Sequence, residues 1–252
     1  GGWCGKGQPD FRKAWRIICV LDGRQEHRQI AGIAAHDGYG VTNRVFRPIV
    51  LHGKEERMEK YVYLGCRTTA RLHGTGKGIQ VFAINPFTNA WTHVQTLETL
   101  PDPAFIAFDQ TKAFLYCVHG DTEMASAFQV DKATGCLTYL NSVHLGGKNP
   151  VYAIPDQTNQ FMLFACLDGG MVCAVKRNTD GSLGEVAYRL DLPGKDIGKP
   201  SCPHMITYDK CGRFLMVPAK GGRGLDCGAT AGLNVLTFDP EKGFEQVFSL
   251  GG

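Results

Sequence analysis

An all-β fold, a β-propeller of four-stranded antiparallel blades, is predicted by three observations on this 252-residue chain. Short β-rich runs follow one another with no helical periodicity between them, which argues for antiparallel sheets. A strand, a short turn and a second strand recur behind Pro103, Pro150 and Pro203, about 50 residues apart, within the period range of propeller blades. Clusters of Asp, Asn and Gly then fall at matching places late in each unit, where they let outer strands reverse tightly.

Residues 1–58 read unlike the rest, because Arg, His and Gly interrupt every apolar run. Ile17 to Leu21 reads as one buried strand ended by Asp22-Gly23, and the charged stretch Lys54 to Lys60 reads as a solvated linker. A boundary is therefore expected near residue 58, with the propeller region at 59–252. From Tyr61 the pattern becomes regular: Tyr61 to Cys66 and Gly78 to Ile84 are strands, followed by a turn at Asn85 to Asn89. The next unit pairs Phe105 to Asp109 with Phe114 to Val118 and turns again at Asp131 to Gly135. The third pairs Val151 to Ile154 with Phe161 to Ala165 and turns at Asn178 to Gly181. The fourth runs from Cys202 to Asp209, pairs it with Phe214 to Val217, and turns at Asp239 to Gly243.

Composition narrows the function. Hydrophobic residues make up 43% of the chain, enough for a core, and the net charge is only +3 with the basic residues scattered. Counterion release at phosphates has no concentrated patch to act through, so nucleic acid is not an expected partner. No apolar run approaches the roughly 20 residues needed to cross a bilayer, and no membrane partner is expected. Gly1 to Asp10 lacks the charged and apolar regions of a signal peptide. Ten cysteines occur without a Cys-x-x-Cys, several inside apolar runs, which suits reduced core thiols in a cytoplasmic protein.

Gly74 to Gly78 lacks the spacing of a phosphate-binding loop and reads as a connection between strands. Cys202 and His204 would share a face of a regular strand, yet two further zinc ligands are not evident, so no metal and no cofactor are expected.

Several segments carry a resemblance. Tyr63-Leu64-Gly65-Cys66, Gly78-Ile79-Gln80-Val81-Phe82, Asp131 to Leu137, Asn149-Pro150-Val151-Tyr152, Asp180 to Leu183 and Pro203-His204 are similar, in order and spacing, to the lactonase family of seven-bladed β-propellers. That family includes 6-phosphogluconolactonase and carboxymuconate cyclase. Residues 59–252 hold about four to five of the seven blades, so the resemblance implies either that residues 1–58 supply a divergent part of the ring or, the favoured alternative, that the array is shortened, with unpaired edges and a tendency to self-associate.

The resemblance implies a hydrolase of carbohydrate metabolism that opens a sugar lactone by base-assisted attack of water. His204 stands at the family's "P-H-x-H" motif and is the candidate catalytic base; the alternative is a structural histidine bonded to a carbonyl. His119, Asp168, Lys220 and Arg223 are candidate substrate-binding residues, the two cations serving an anionic group on the lactone. A turn role remains open for His119 and Asp168, and a solvated loop for Lys220 and Arg223. The sequence departs from the family pattern at Ile206, at His119-Gly120, at Cys166-Leu167 and at Ala219. Those departures keep two other readings in play: a propeller that has lost catalysis and binds a ligand or protein, and a carboxymuconate cyclase-like enzyme.

Overall fold

Local chemistry closes each hairpin in the same way. After the first strand of a unit an aspartate turns its carboxylate back onto the chain: Asp109 Oδ1 accepts from the N–H groups of Ala113 and Phe114, Asp156 Oδ1 from Phe161, and Asp209 Oδ1 from Arg213 and Phe214. Lys112, Asn159 and Gly212 complete these turns at positive φ. The outer turns depend on Gly135, Gly181 and Gly243, at φ of 72°, 84° and 84°, where a side chain would be strained.

In the computed structural model, residues 15–21 (backbone only), 60–70, 74–194, 200–220 and 231–251 are described. They form four antiparallel sheets of four strands, each in simple sequence order. The first contains β1 (Trp15–Leu21), β2 (Lys60–Cys66), β3 (Ile79–Ile84) and β4 (Trp91–Leu97). The second contains β5 (Pro103–Phe108), β6 (Phe114–His119), β7 (Met124–Val130) and β8 (Leu137–His144). The third contains β9 (Pro150–Pro155), β10 (Phe161–Cys166), β11 (Met171–Arg177) and β12 (Leu183–Asp191). The fourth contains β13 (Thr207–Tyr208), β14 (Leu215–Ala219), β15 (Gly232–Asp239) and β16 (Gly243–Gly251).

Residues before position 58 join the first sheet, and one expected strand is shorter. Because β1 pairs with β2, Leu21 lying opposite Tyr61, residues on both sides of position 58 build one sheet. The regular strand expected over Cys202 to Asp209 is reduced to Thr207 and Tyr208 plus a bridge from Pro203 to Ala219. The interruption has no counterpart in the sister blades, where Pro103 and Pro150 also follow left-handed residues yet begin six-residue strands.

The sheets stack as blades, the first strands β1, β5 and β9 lying against one another. Three apolar layers fill the gaps. Tyr61, Tyr63 and Val81 of the first blade meet Ile106, Leu115 and Phe128 of the second. Tyr116, Val118 and Ala127 meet Met162, Phe164 and Cys173 of the third, and Leu163, Ala165 and Val172 meet Ile206, Leu215 and Leu236 of the fourth. β10 is buried along its whole length because it is covered on both faces.

Tyrosine hydroxyls latch blade to blade. Tyr63 donates to the carbonyl of Gly135 at 2.8 Å and Tyr116 to that of Gly181 at 2.8 Å, each reaching the outer turn of the next blade. Leu163 holds the corresponding place in the third blade, where Tyr188 instead donates to Pro240 at 2.9 Å. At the middle interface Arg177 bonds the Tyr116 hydroxyl, the Asn159 carbonyl and Asp109 Oδ2, the last at 3.3 Å and almost fully buried. The many hydrogen bonds converging on Asp109 hold its carboxyl below the usual range despite its burial.

Candidate functional site at the proline edge of the blades

The three prolines lie at one end of the blades. Pro103 pairs with His119, Pro150 with Cys166 and Pro203 with Ala219, so the start of each first strand adjoins the end of each second strand. The residue before each proline is left-handed: Asp102, Asn149 and Cys202 have φ of 51°, 54° and 56°. Non-glycine residues seldom adopt this conformation. Their carbonyls accept, each at 2.9 Å, from the N–H groups of Gly120, Leu167 and Lys220.

Two of these residues also reach back to the preceding blade. Asp102 accepts from the N–H groups of Thr68 and Thr69 and from the Thr69 hydroxyl, and its carboxyl lies below its ordinary value, burial notwithstanding. Asn149 Oδ1 accepts from the Asp121 N–H at 3.1 Å, and its Nδ2 donates to Asp168 Oδ2 at 2.9 Å. The rim at this edge is thereby stitched from the first blade to the third.

His204 and Lys220 both belong to this rim, and both are exposed. The His204 N–H donates to the Pro218 carbonyl at 2.9 Å. Following its proline directly, His204 takes the place held by Ala104 and Val151, while Lys220 takes that of Gly120 and Leu167. Those sister pairs show what the positions do. A Cβ on Gly120 would lie 3.0 Å from that of Ala104, and Val151 packs onto Leu167 and Cys202. Where two blades put compact or apolar pairs, the fourth presents an imidazole and an ammonium to solvent.

The remaining candidates separate. His119 ends β6 but is fully buried. Its Nδ1 lies 3.0 Å from the Pro101 carbonyl, which can only accept, so Nδ1 carries the proton and Nε2 accepts from the Ser126 hydroxyl at 2.7 Å. Burial pushes its pKa down, keeping the ring neutral. Both nitrogens are therefore engaged inside the sheet, and the His119 side chain is not presented at the surface of the edge. Asp168 is half-buried, on the rim, and held by Asn149. Arg223 lies outside the described residues.

His119 ends a second strand and Asp168 and Lys220 follow second strands, whereas His204 precedes the first strand of its blade. The edge is shared all the same, because antiparallel pairing brings the end of one strand beside the start of its neighbour. The shared face expected for Cys202 and His204 also fails: Cys202 is buried and disulfide-bonded, His204 exposed. Six other described cysteines are free thiols. Ile206, at the family's second histidine, is buried between the third and fourth blades.

Arg67 was not foreseen. It follows β2 as Lys220 follows β14, and aligning the units by strand ends would have found it. Its Nη1 bonds Asp121 Oδ2 at 3.0 Å, and its buried Nε has no hydrogen-bond partner. The rim therefore carries cationic side chains in the first and fourth blades.

Known proteins share this architecture. The chain is 32% identical over 142 residues to the 6-phosphogluconolactonase of Bacillus subtilis (strain 168), a match spanning 55% of this chain and 39% of that protein. A Bacteroides fragilis structure described provisionally as a 6-phosphogluconolactonase superposes with a TM-score of 0.60 at 21% identity, over 73% of this chain and 50% of that one. The periplasmic gluconolactonase of Pseudomonas aeruginosa gives 0.57 at 18% identity, over 68% and 50%. These two likenesses speak for the fold, and the chain spans half or less of each of the three proteins. The family described as "Lactonase, 7-bladed beta-propeller" matches residues 61–223. Sixteen strands in four ordered blades among the described residues and that match together make this chain a member of the lactonase family of β-propellers.

Proposed function

We propose that the protein is a lactonase-type hydrolase that opens a sugar lactone, of the 6-phosphogluconolactone kind, at the His204–Lys220 rim. The observation that carries this reading is the exposed imidazole and ammonium at positions where the sister blades place Ala104 with Gly120 and Val151 with Leu167. The name of the Bacillus relative supports the substrate class.

The chemistry needs a proton acceptor and a stabilised oxyanion. A neutral His204 takes a proton from water as the oxygen adds to the lactone carbonyl. The resulting oxyanion is stabilised by the Lys220 ammonium, and the ring C–O bond then breaks. The proton returns from His204 to the departing alkoxide, giving a free hydroxyl and a carboxylic acid, which releases its remaining proton to solvent and becomes the carboxylate. With a phosphorylated lactone, Lys220 also attracts the phosphate.

A second reading, a propeller that binds a ligand without turning it over, is favoured by the buried Ile206 and the internally bonded His119. Hydrolysis of gluconolactone and 6-phosphogluconolactone, corrected for spontaneous opening, separates the two. His204→Ala is expected to lower kcat by about 10²- to 10⁴-fold, the usual worth of a general base. Lys220→Met is expected to raise KM more for the phosphorylated lactone. Wild-type rates at background, unchanged in His204→Ala, would leave only the binding reading.

A further inference from the structure

The rim position after each second strand is filled differently in each blade, by Arg67, Gly120, Leu167 and Lys220. Arg67 turns towards the second blade, where its Nη1 donates to Asp121 Oδ2 at 3.0 Å. Both side chains are well covered, at 12% and 15% exposed. Gly120 leaves room for the planar group, since a Cβ there would stand 3.4 Å from Nη2 and 3.7 Å from Nη1. The Arg67 carbonyl accepts from the Gly76 N–H at 2.9 Å, which fixes the residue on its own blade as well.

Among the described residues, Asp121 is the one hydrogen-bond partner of this guanidinium. Nε is buried and pairs with nothing, whereas Nη2 is not among the buried orphans and meets solvent. Arg177 shows the contrast. It is 8% exposed, and its Nε, Nη1 and Nη2 bond the Tyr116 hydroxyl, the Asn159 carbonyl and Asp109 in turn. An arginine that only braces the blades is thus fully satisfied, and Arg67 is not. A buried donor left without an acceptor is costly, the more so when it is charged. Nε and Nη2 together form the fork of a guanidinium, two parallel N–H donors that match the paired oxygens of a carboxylate or phosphate. The nearby Asp102 carboxylate is committed to Thr68 and Thr69, so neither it nor Asp121 bonds that edge.

We propose that the Nε–Nη2 edge of Arg67 is an oxyanion-binding site, taking the paired oxygens of a carboxylate or phosphate group on a small ligand while Asp121 holds Nη1 in place. The ligand enters at Nη2, and Nε supplies the second bond. The site belongs to the first and second blades, uses neither His204 nor Lys220, and stands whether or not the fourth-blade rim hydrolyses a lactone.

The test is a titration of the full chain, isotope-labelled at its arginines and followed through the Nε–H signals, with inorganic phosphate, acetate and chloride at equal ionic strength. The signal missing from Arg67→Lys identifies Arg67. Phosphate should shift it saturably, with a dissociation constant on the order of 1 mM because Asp102 and Asp121 offset the arginine charge, and chloride should not. Saturation by acetate as well assigns the edge to carboxylates and phosphates alike, and saturation by phosphate alone to phosphate groups. In calorimetry, Arg67→Lys keeps the charge but loses the fork, and should weaken phosphate binding at least about 10-fold, the worth of one charged hydrogen bond. Lys176→Met, at an exposed lysine near the opposite end of the blades, should leave it unchanged. If Arg67→Lys fails to fold, Gly120→Ala supplies the second measurement: its Cβ, 3.4 Å from Nη2, narrows the approach and should weaken phosphate binding with the arginine retained. No saturable shift, an equal shift with chloride, or undiminished phosphate affinity in Arg67→Lys or Gly120→Ala would overturn the proposal.

Discussion

His119 and His204 show how two histidines acquire opposite exposure from their surroundings. Both stand on the proline edge, yet a chain of hydrogen bonds from Ser126 through His119 to the Pro101 carbonyl encloses one, while the other is exposed. The sequence could place both on the edge, because proline and the following apolar run mark it locally. It could not say which is covered, since that depends on Ser126 from a different strand. A measurable consequence follows for His119. Burial lowers its folded-state pKa, so on acidification the unfolded chain takes up the proton first. Its contribution to stability is complete above the unfolded value of about 6.5 and declines as pH falls below that value towards the folded pKa. Urea unfolding should therefore show stability falling with pH below about 6.5, and His119→Gln should flatten that slope while losing about 1–3 kcal/mol at neutral pH. An unchanged slope in the variant would place the titration elsewhere.

At the level of the hairpin, turn chemistry is legible because it is local, whereas its tertiary use is not. Asp131 to Gly135 and Asn178 to Gly181 read directly as tight reversals. Nothing local discloses that Gly181 rests on the Phe114 ring of the preceding blade while its carbonyl receives the Tyr116 hydroxyl. Each outer glycine serves two needs, positive φ and close approach of a ring. Comparing two alanine substitutions separates them. Gly146 has φ of 73°, and the nearest atom to an added Cβ is Arg189 Nη1 at 3.8 Å. Gly146→Ala should then cost only the left-handed penalty of about 1–2 kcal/mol. Gly181→Ala brings the Cβ to 2.1 Å from Phe114 Cδ1 as well. Its loss should exceed that of Gly146→Ala by at least about 1 kcal/mol, the lower range for overpacking. Equal losses in thermal or urea unfolding would mean that the ring moves aside freely and that the latch is not tight.

Across the whole molecule, the blade repeat was readable but the limits of the array were not. Regular spacing of Pro103, Pro150 and Pro203 reveals successive units, whereas β1 joins β2 across a long stretch of sequence that carries no periodic signal. Coverage also varies along the array in a way only the assembled blades reveal. β10 is buried throughout, between neighbours on both sides, while β4 and β16 are outer edge strands. Local opening is easiest where few buried contacts must be broken, so amide exchange should be slowest in β6, β10 and β11 and rapid in β4. Hydrogen-exchange mass spectrometry measures this directly, and exchange in β10 as rapid as in β4 would overturn the expectation.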